Sequence, residues 1–171
     1  MTDKLGRLAT HATVDLALAC YFVAAILFLL ASERPAPWRA ARAIWTLGWL
    51  LYLAHVAAAF HFYHHWSHRQ AWLETARRTG ELFGWAWGGG LYFNYAFTLT
   101  WTADVLWQWL SPAGHRRRSG WLSLGWHGFF LFMVINAAII FETGPIRWLG
   151  LTGCTALLFA WVFSRRRSAA T

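Results

Sequence analysis

The chain has 171 residues, 58% of them hydrophobic and 13% charged, with 14 Trp, 13 Phe and 5 Tyr and a formal net charge of +8. Soluble domains carry about 25% charged and about 45–50% apolar residues, so these figures exclude a water-soluble globule, a disordered chain and a disulfide scaffold. The apolar residues fall in blocks, which predicts an all-α, polytopic helical membrane protein with the lipid bilayer as its first partner.

A transmembrane helix needs about 20 mostly apolar residues. In chain order five blocks qualify, at 13–31, 43–62, 84–110, 121–141 and 146–164, within a single membrane domain over residues 1–171. The first follows Lys4 and Arg7, as a signal peptide would. It exceeds the about 7–15 residues of a signal-peptide core and runs into Glu33-Arg34-Pro35, so a retained helix is expected. Residues 63–83 are too polar to span yet free of proline. They predict a second helix that continues past the headgroups or turns along the surface, with the third helix starting at Gly80–Gly84. Gly84, Gly88, Gly89 and Gly90 then sit in the upper part of that third helix, serving close helix packing or a local break beside a cavity.

Trp38, Trp45, Trp66, Trp85, Trp107, Trp109, Trp121, Trp148 and Trp161 mark block ends, where an indole with one polar N–H settles at headgroup level. Trp101 and Trp126 fall deeper, in helix-packing positions. Cys20 and Cys154 lie inside apolar blocks as small hydrophobes, and no CxxC occurs.

Basic residues cluster between the blocks: Arg34/Arg39/Arg42, Arg116-Arg117-Arg118 and Arg165-Arg166-Arg167. Placed there they are topology and lipid-headgroup signals, and no nucleic acid is expected as a partner. Five spans put these nine Arg on one side and Lys4, Arg7, Arg69, Arg77, Arg78 and Arg147 on the other. The bias predicts a multi-pass protein of a bacterial inner (plasma) membrane, N-terminus outside and C-terminus cytoplasmic.

Ionisable groups in or beside spans are expensive and point to function. The densest group is histidine. On one continuous helix turning about 100° per residue, His61, His64, His65 and His68 form a single stripe, with His55 about 120° away. His11, Asp15 and Glu142 reach the same leaflet from helices one and four, with Glu81, Asn94 and Asn136 nearby. Imidazole is the commonest metal ligand. The set His61, His64, His65, His68, His11, Asp15 and Glu142 therefore reads as a site for a transition metal, with Zn, Fe, Mn and Cu all compatible. Toward the opposite face, Asp104 and His127 lie equally far from the turn between helices three and four, which predicts a hydrogen bond between them.

His61-Phe62-Tyr63-His64-His65 resembles the HxxHH box of membrane desaturases and hydroxylases, which hold two irons with several such boxes. The resemblance covers five residues and implies imidazole ligation at those positions, without assigning the chain to a family.

Three functions follow. A metal with an open coordination position would make the chain a metal-dependent membrane oxidoreductase or hydrolase. Haem b with His55 and His127 as axial ligands would make it an electron-transfer subunit; without CxxCH, covalent haem is excluded. The third reading is a non-catalytic accessory or scaffolding subunit that contacts other membrane subunits or forms a homo-oligomer. Transport ranks below these, since no repeat of spans is visible.

Overall fold

The computed structural model describes residues 2–31 and 35–169. The described residues form seven α-helices and one π-helical turn: α1 Thr2–Leu30, α2 Pro35–Phe62, α3 His68–Phe83, α4 Gly90–Leu110, α5 Pro112–Arg116, α6 Gly120–Ile135, the π turn Asn136–Ile140, and α7 Pro145–Ala169. Glu33 and Arg34, on which the first loop was read, lie outside the described residues. α1 and α2 begin well before the apolar blocks at 13 and 43, because helix formation needs helix-forming residues and not apolar ones.

Four helical segments are long and apolar enough to cross a membrane: Lys4–Leu30, Ala36–Phe62, Gly120–Ile140 and Pro145–Arg166. α4, the third of the five expected spans, has a span's length at 21 residues but not its apolarity. Thr98, Thr102, Asp104 and Gln108 turn inward instead. Along the α2–α4 seam the Trp49 indole N–H donates to Thr102 Oγ1 at 3.0 Å, and the Trp109 indole N–H to Thr46 Oγ1 at 3.0 Å. Tyr52 bonds Thr98 at 3.0 Å, and Thr98 already donates to the Asn94 carbonyl, so the phenol is the donor. Interhelical side-chain bonds of this kind contribute about 0.6 kcal/mol each in membranes.

The core sits where α1, α2, α4 and α6 meet. Leu18, Tyr21, Phe22, Trp45, Phe97, Trp101, Val105 and Phe130 are all buried there. Trp45 and Trp101 lie 5.2 Å apart, Phe97 and Phe130 4.8 Å, and Tyr21 stacks on Phe130 at 6.2 Å. Lipid tails are as apolar as these rings, so close packing rather than escape from water holds such helices together. Gly153 on α7 shows how close: a Cβ there would stand 2.3 Å from the Phe22 ring on α1. Trp126 packs against the same cluster, so both deep indoles take the expected packing role.

α1 and α2 form the most extensive helix pair and run antiparallel, Gly6 against Phe62 at one end and Phe28 against Trp38 at the other. One end of the bundle thus gathers Arg39, Arg42, α5 and the end of α7. The other gathers the start of α1, the end of α2, α3 and the π turn.

The second helix does not run on. α2 stops at Phe62, and His65 and Trp66 take positive φ values of 48° and 58°, a left-handed backbone that ends any α-helix. Ser67 then caps a separate helix, its Oγ accepting from the Gln70 amide at 3.3 Å. α3 ends at Gly84, whose φ of 77° is open to glycine without strain. The glycines at 84–89 therefore form a break before α4, which starts at Gly90 rather than near Gly80–Gly84.

Candidate functional site

The break at 63–67 dismantles the histidine stripe, which required one unbroken helix. His61 is exposed, with its ring 4.7 Å from that of Phe62. His64 lies in the turn against the Phe60 ring at 5.5 Å, and exposed His65 occupies the left-handed position. His68 opens α3 and hydrogen-bonds the Tyr95 hydroxyl at 3.0 Å. Burial holds the His64 imidazole below the ordinary histidine value, Arg78 and His65 add to this, and Glu74 opposes it. Among the described residues no three His, Cys, Asp or Glu side chains are grouped as a metal ion requires.

Other members of the predicted set do approach one another. His55 donates from Nδ1 to the Thr10 carbonyl at 2.9 Å, which ties α2 to α1 next to His11 and five residues before Asp15. Asp15 Oδ1 and Thr10 Oγ1 are buried there without a hydrogen-bond partner. Glu142 meets Arg78 of α3 at 3.5 Å, and its carbonyl accepts from Arg147 Nε at 2.9 Å. An open cleft of about 250 Å³ lies beside it, lined by Arg77, Arg78, Glu81, Leu82, Phe141 and Glu142. On α3, Arg77 bridges Glu74 at 2.6 Å and Glu81. Hydrogen bonds from Arg77, then burial against them, and Arg78 leave the Glu74 carboxyl below its ordinary value.

The most fully engaged polar cluster lies at the arginine-rich end. Asp104 on α4 is 2% exposed, and three donors surround its carboxylate. Gln108 Nε2 donates to Oδ2 at 2.7 Å, while His115 Nε2 and Arg118 Nη1 reach Oδ1 at 3.0 and 2.9 Å. His115 Nε2 and Arg118 Nη1 are themselves 3.0 Å apart; if each carries a proton to Oδ1, both converge on it as donors. Arg118 also donates from Nη2 to His127 Nε2 at 2.7 Å, which requires the lone pair of that nitrogen to face the guanidinium. The expected direct Asp104–His127 bond is therefore replaced by a bridge through Arg118.

Two members of this cluster escaped sequence reasoning. Arg118 belongs to a run of three arginines that reads as a topology signal, yet it folds back between Asp104 on α4 and His127 on α6. His115 belongs to α5, a five-residue helix with Pro112 at its start, and the Trp107 ring covers it at 5.5 Å. The Asp104–Gln108 spacing of four was the one available hint, since it places an amide one helical turn from a carboxylate.

His55 and His127 are not brought to one slot. The first turns to α1 and the second to Arg118. No protein-family model, curated protein or solved structure matches this chain.

Proposed function

We propose that the chain is a non-catalytic accessory or scaffolding subunit of a membrane assembly. The observation that supports this reading is the engagement of Asp104, a buried carboxylate, by Gln108, His115 and Arg118 of its own chain. A carboxylate held this way fixes helices and connections in place and is closed to substrate. In this reading α4 is a fifth crossing, the N-terminus is outside and the nine Arg of the loops and tail face the cytoplasm. Extraction into polymer nanodiscs from the native membrane tests it. One partner subunit at fixed stoichiometry, retained through size exclusion, is expected. A lone chain carrying stoichiometric metal or a Soret band would overturn it.

A second reading rests on Asp15. Its buried, unpartnered oxygen lies one helical turn from His11 on the stretch of α1 that His55 bonds, which supports a transition-metal site formed by Asp15, His11 and His55 with Glu142 as the ends of α1, α2 and the π turn draw together. His61, His64, His65 and His68 drop out of that set. Elemental analysis of detergent-purified protein checks it. About one metal per chain, lost together in Asp15→Ala and His55→Ala, is the expected result, and metal-free protein after loading would end it.

A further inference from the structure

Arg42 on α2 is held between two indoles. Its guanidinium carbon lies 4.1 Å from the Trp109 ring centre and 5.1 Å from that of Trp38. Trp109 is fixed in turn by its N–H bond to Thr46, one turn further along α2. Nη1 donates to the Gln108 carbonyl at 3.3 Å, and Nε is buried with no hydrogen-bond partner among the described residues. Asp104, the carboxylate of that end of α4, is already engaged by Gln108, His115 and Arg118. Among the described residues Arg42 forms no ion pair.

A guanidinium covered on its faces by aromatic rings retains only its edge for hydrogen bonding. That edge is a planar fork of N–H groups matched to the oxygens of a phosphate. Arg42 is half-buried and its Nε is cut off from water, so its charge calls for an anion that the described residues do not supply. A second cation shares the platform, since the Arg116 guanidinium on α5 lies 5.6 Å from the same Trp38 ring. Exposed Arg39 is three residues from Arg42 on α2. Trp38 and Trp109 lie near helix ends, the depth of the headgroup layer, where lipid phosphates are found.

We propose that the edge of Arg42, with Trp38, Trp109 and Arg116 around it, is a binding site for a phosphate group. An anionic phospholipid headgroup and free inorganic phosphate share this chemistry. The site does not depend on the accessory-subunit or metal readings: its phosphate-binding edge belongs to Arg42, and of the Asp104 cluster it touches the Gln108 carbonyl alone.

Thermal unfolding of the full chain in detergent, with titrated short-chain phosphatidylglycerol, phosphatidylcholine or inorganic phosphate, tests it. Phosphatidylglycerol is expected to raise the unfolding temperature of the wild type saturably. Its apparent affinity should fall by about fivefold or more in Arg42→Gln, the loss expected for one headgroup-directed cation. Arg69→Gln, at the opposite end, should bind as the wild type does. Protection by phosphatidylglycerol beyond that of phosphatidylcholine and inorganic phosphate identifies a lipid site. Equal protection by inorganic phosphate, lost in Arg42→Gln, identifies a soluble phosphate site. If Arg42→Gln does not fold, Arg42→Lys serves instead, keeping the charge but losing the planar fork, and the same loss of affinity is expected. No saturable protection of the wild type by any of the three, or equal protection of wild type and Arg42 variants, overturns the proposal.

Discussion

The two ends of the bundle hold their polar residues in opposite ways. At the arginine-rich end a single carboxylate, Asp104, collects partners from positions 108, 115 and 118, and a bridge carries on to His127. At the histidine-rich end the ionisable groups are more numerous, yet His55, His64 and His68 each find a separate neighbour and Asp15 Oδ1 finds none. Density along the chain therefore does not forecast convergence in space. What decides it is the backbone between the groups: α5 folds His115 and Arg118 back over α4, whereas the left-handed turn at His65 and Trp66 scatters the histidines.

The sharpest way to break this contrast is Asp104→Ala. It leaves Arg118 buried without its carboxylate, and losing one partner of a buried pair costs about 3–5 kcal/mol. Thermal unfolding in detergent should show the loss, or folded protein should not be recovered. A variant as stable as the wild type would remove the Asp104 cluster as the anchor of that end.

Next in size is Ser67→Ala, which removes the cap that starts α3 and should cost about 1 kcal/mol. Hydrogen exchange would register it as faster exchange at Gln70 and its neighbours, with α4 unchanged. Uniform loss of protection would mean that the turn is not a local device.

Asp15→Asn should do the reverse of Asp104→Ala. Its unpartnered oxygen gains little from the charge in the metal-free chain, so stability should stay within about 0.5 kcal/mol of the wild type or rise. A large destabilisation would reveal a ligand or contact at that oxygen and make the two ends alike.

The smallest effect is a pH dependence confined to the histidine-rich end. Glu74 has a folded value below its ordinary 4.5, so its ion pairs with Arg77 and Arg78 are fully present above about pH 4.5. They are lost as pH falls through the lowered value, and solvent screening of these exposed pairs keeps the effect small. His64 is likewise lowered below 6.5, so its contribution is complete above about pH 6.5 and fades as the pH drops through the folded value. NMR titration of the imidazoles in detergent checks the sign: His64 should protonate below pH 6.5, and protonation above it would contradict the burial of its ring.

Membrane association and the helical class were legible in the sequence, because apolar content and helix formation accumulate residue by residue along the chain, whereas Trp45, expected at headgroup level, lies in the buried core instead. The third block shows the limit of that arithmetic. α4 carries Thr98, Thr102, Asp104 and Gln108, and an average over all faces of a helix cannot tell that these point toward α2 and α5. The stripe failed for a related reason: a helical angle between His61 and His68 has meaning only while the backbone stays helical, and two left-handed residues intervene. Which polar groups meet was left to the tertiary structure, since a hydrogen bond demands placement within a few tenths of an ångström while burial in lipid demands only the right depth. The fold of α5, the rotation of α4 and the return of Arg118 supply that placement, and none of them is a property of any one segment.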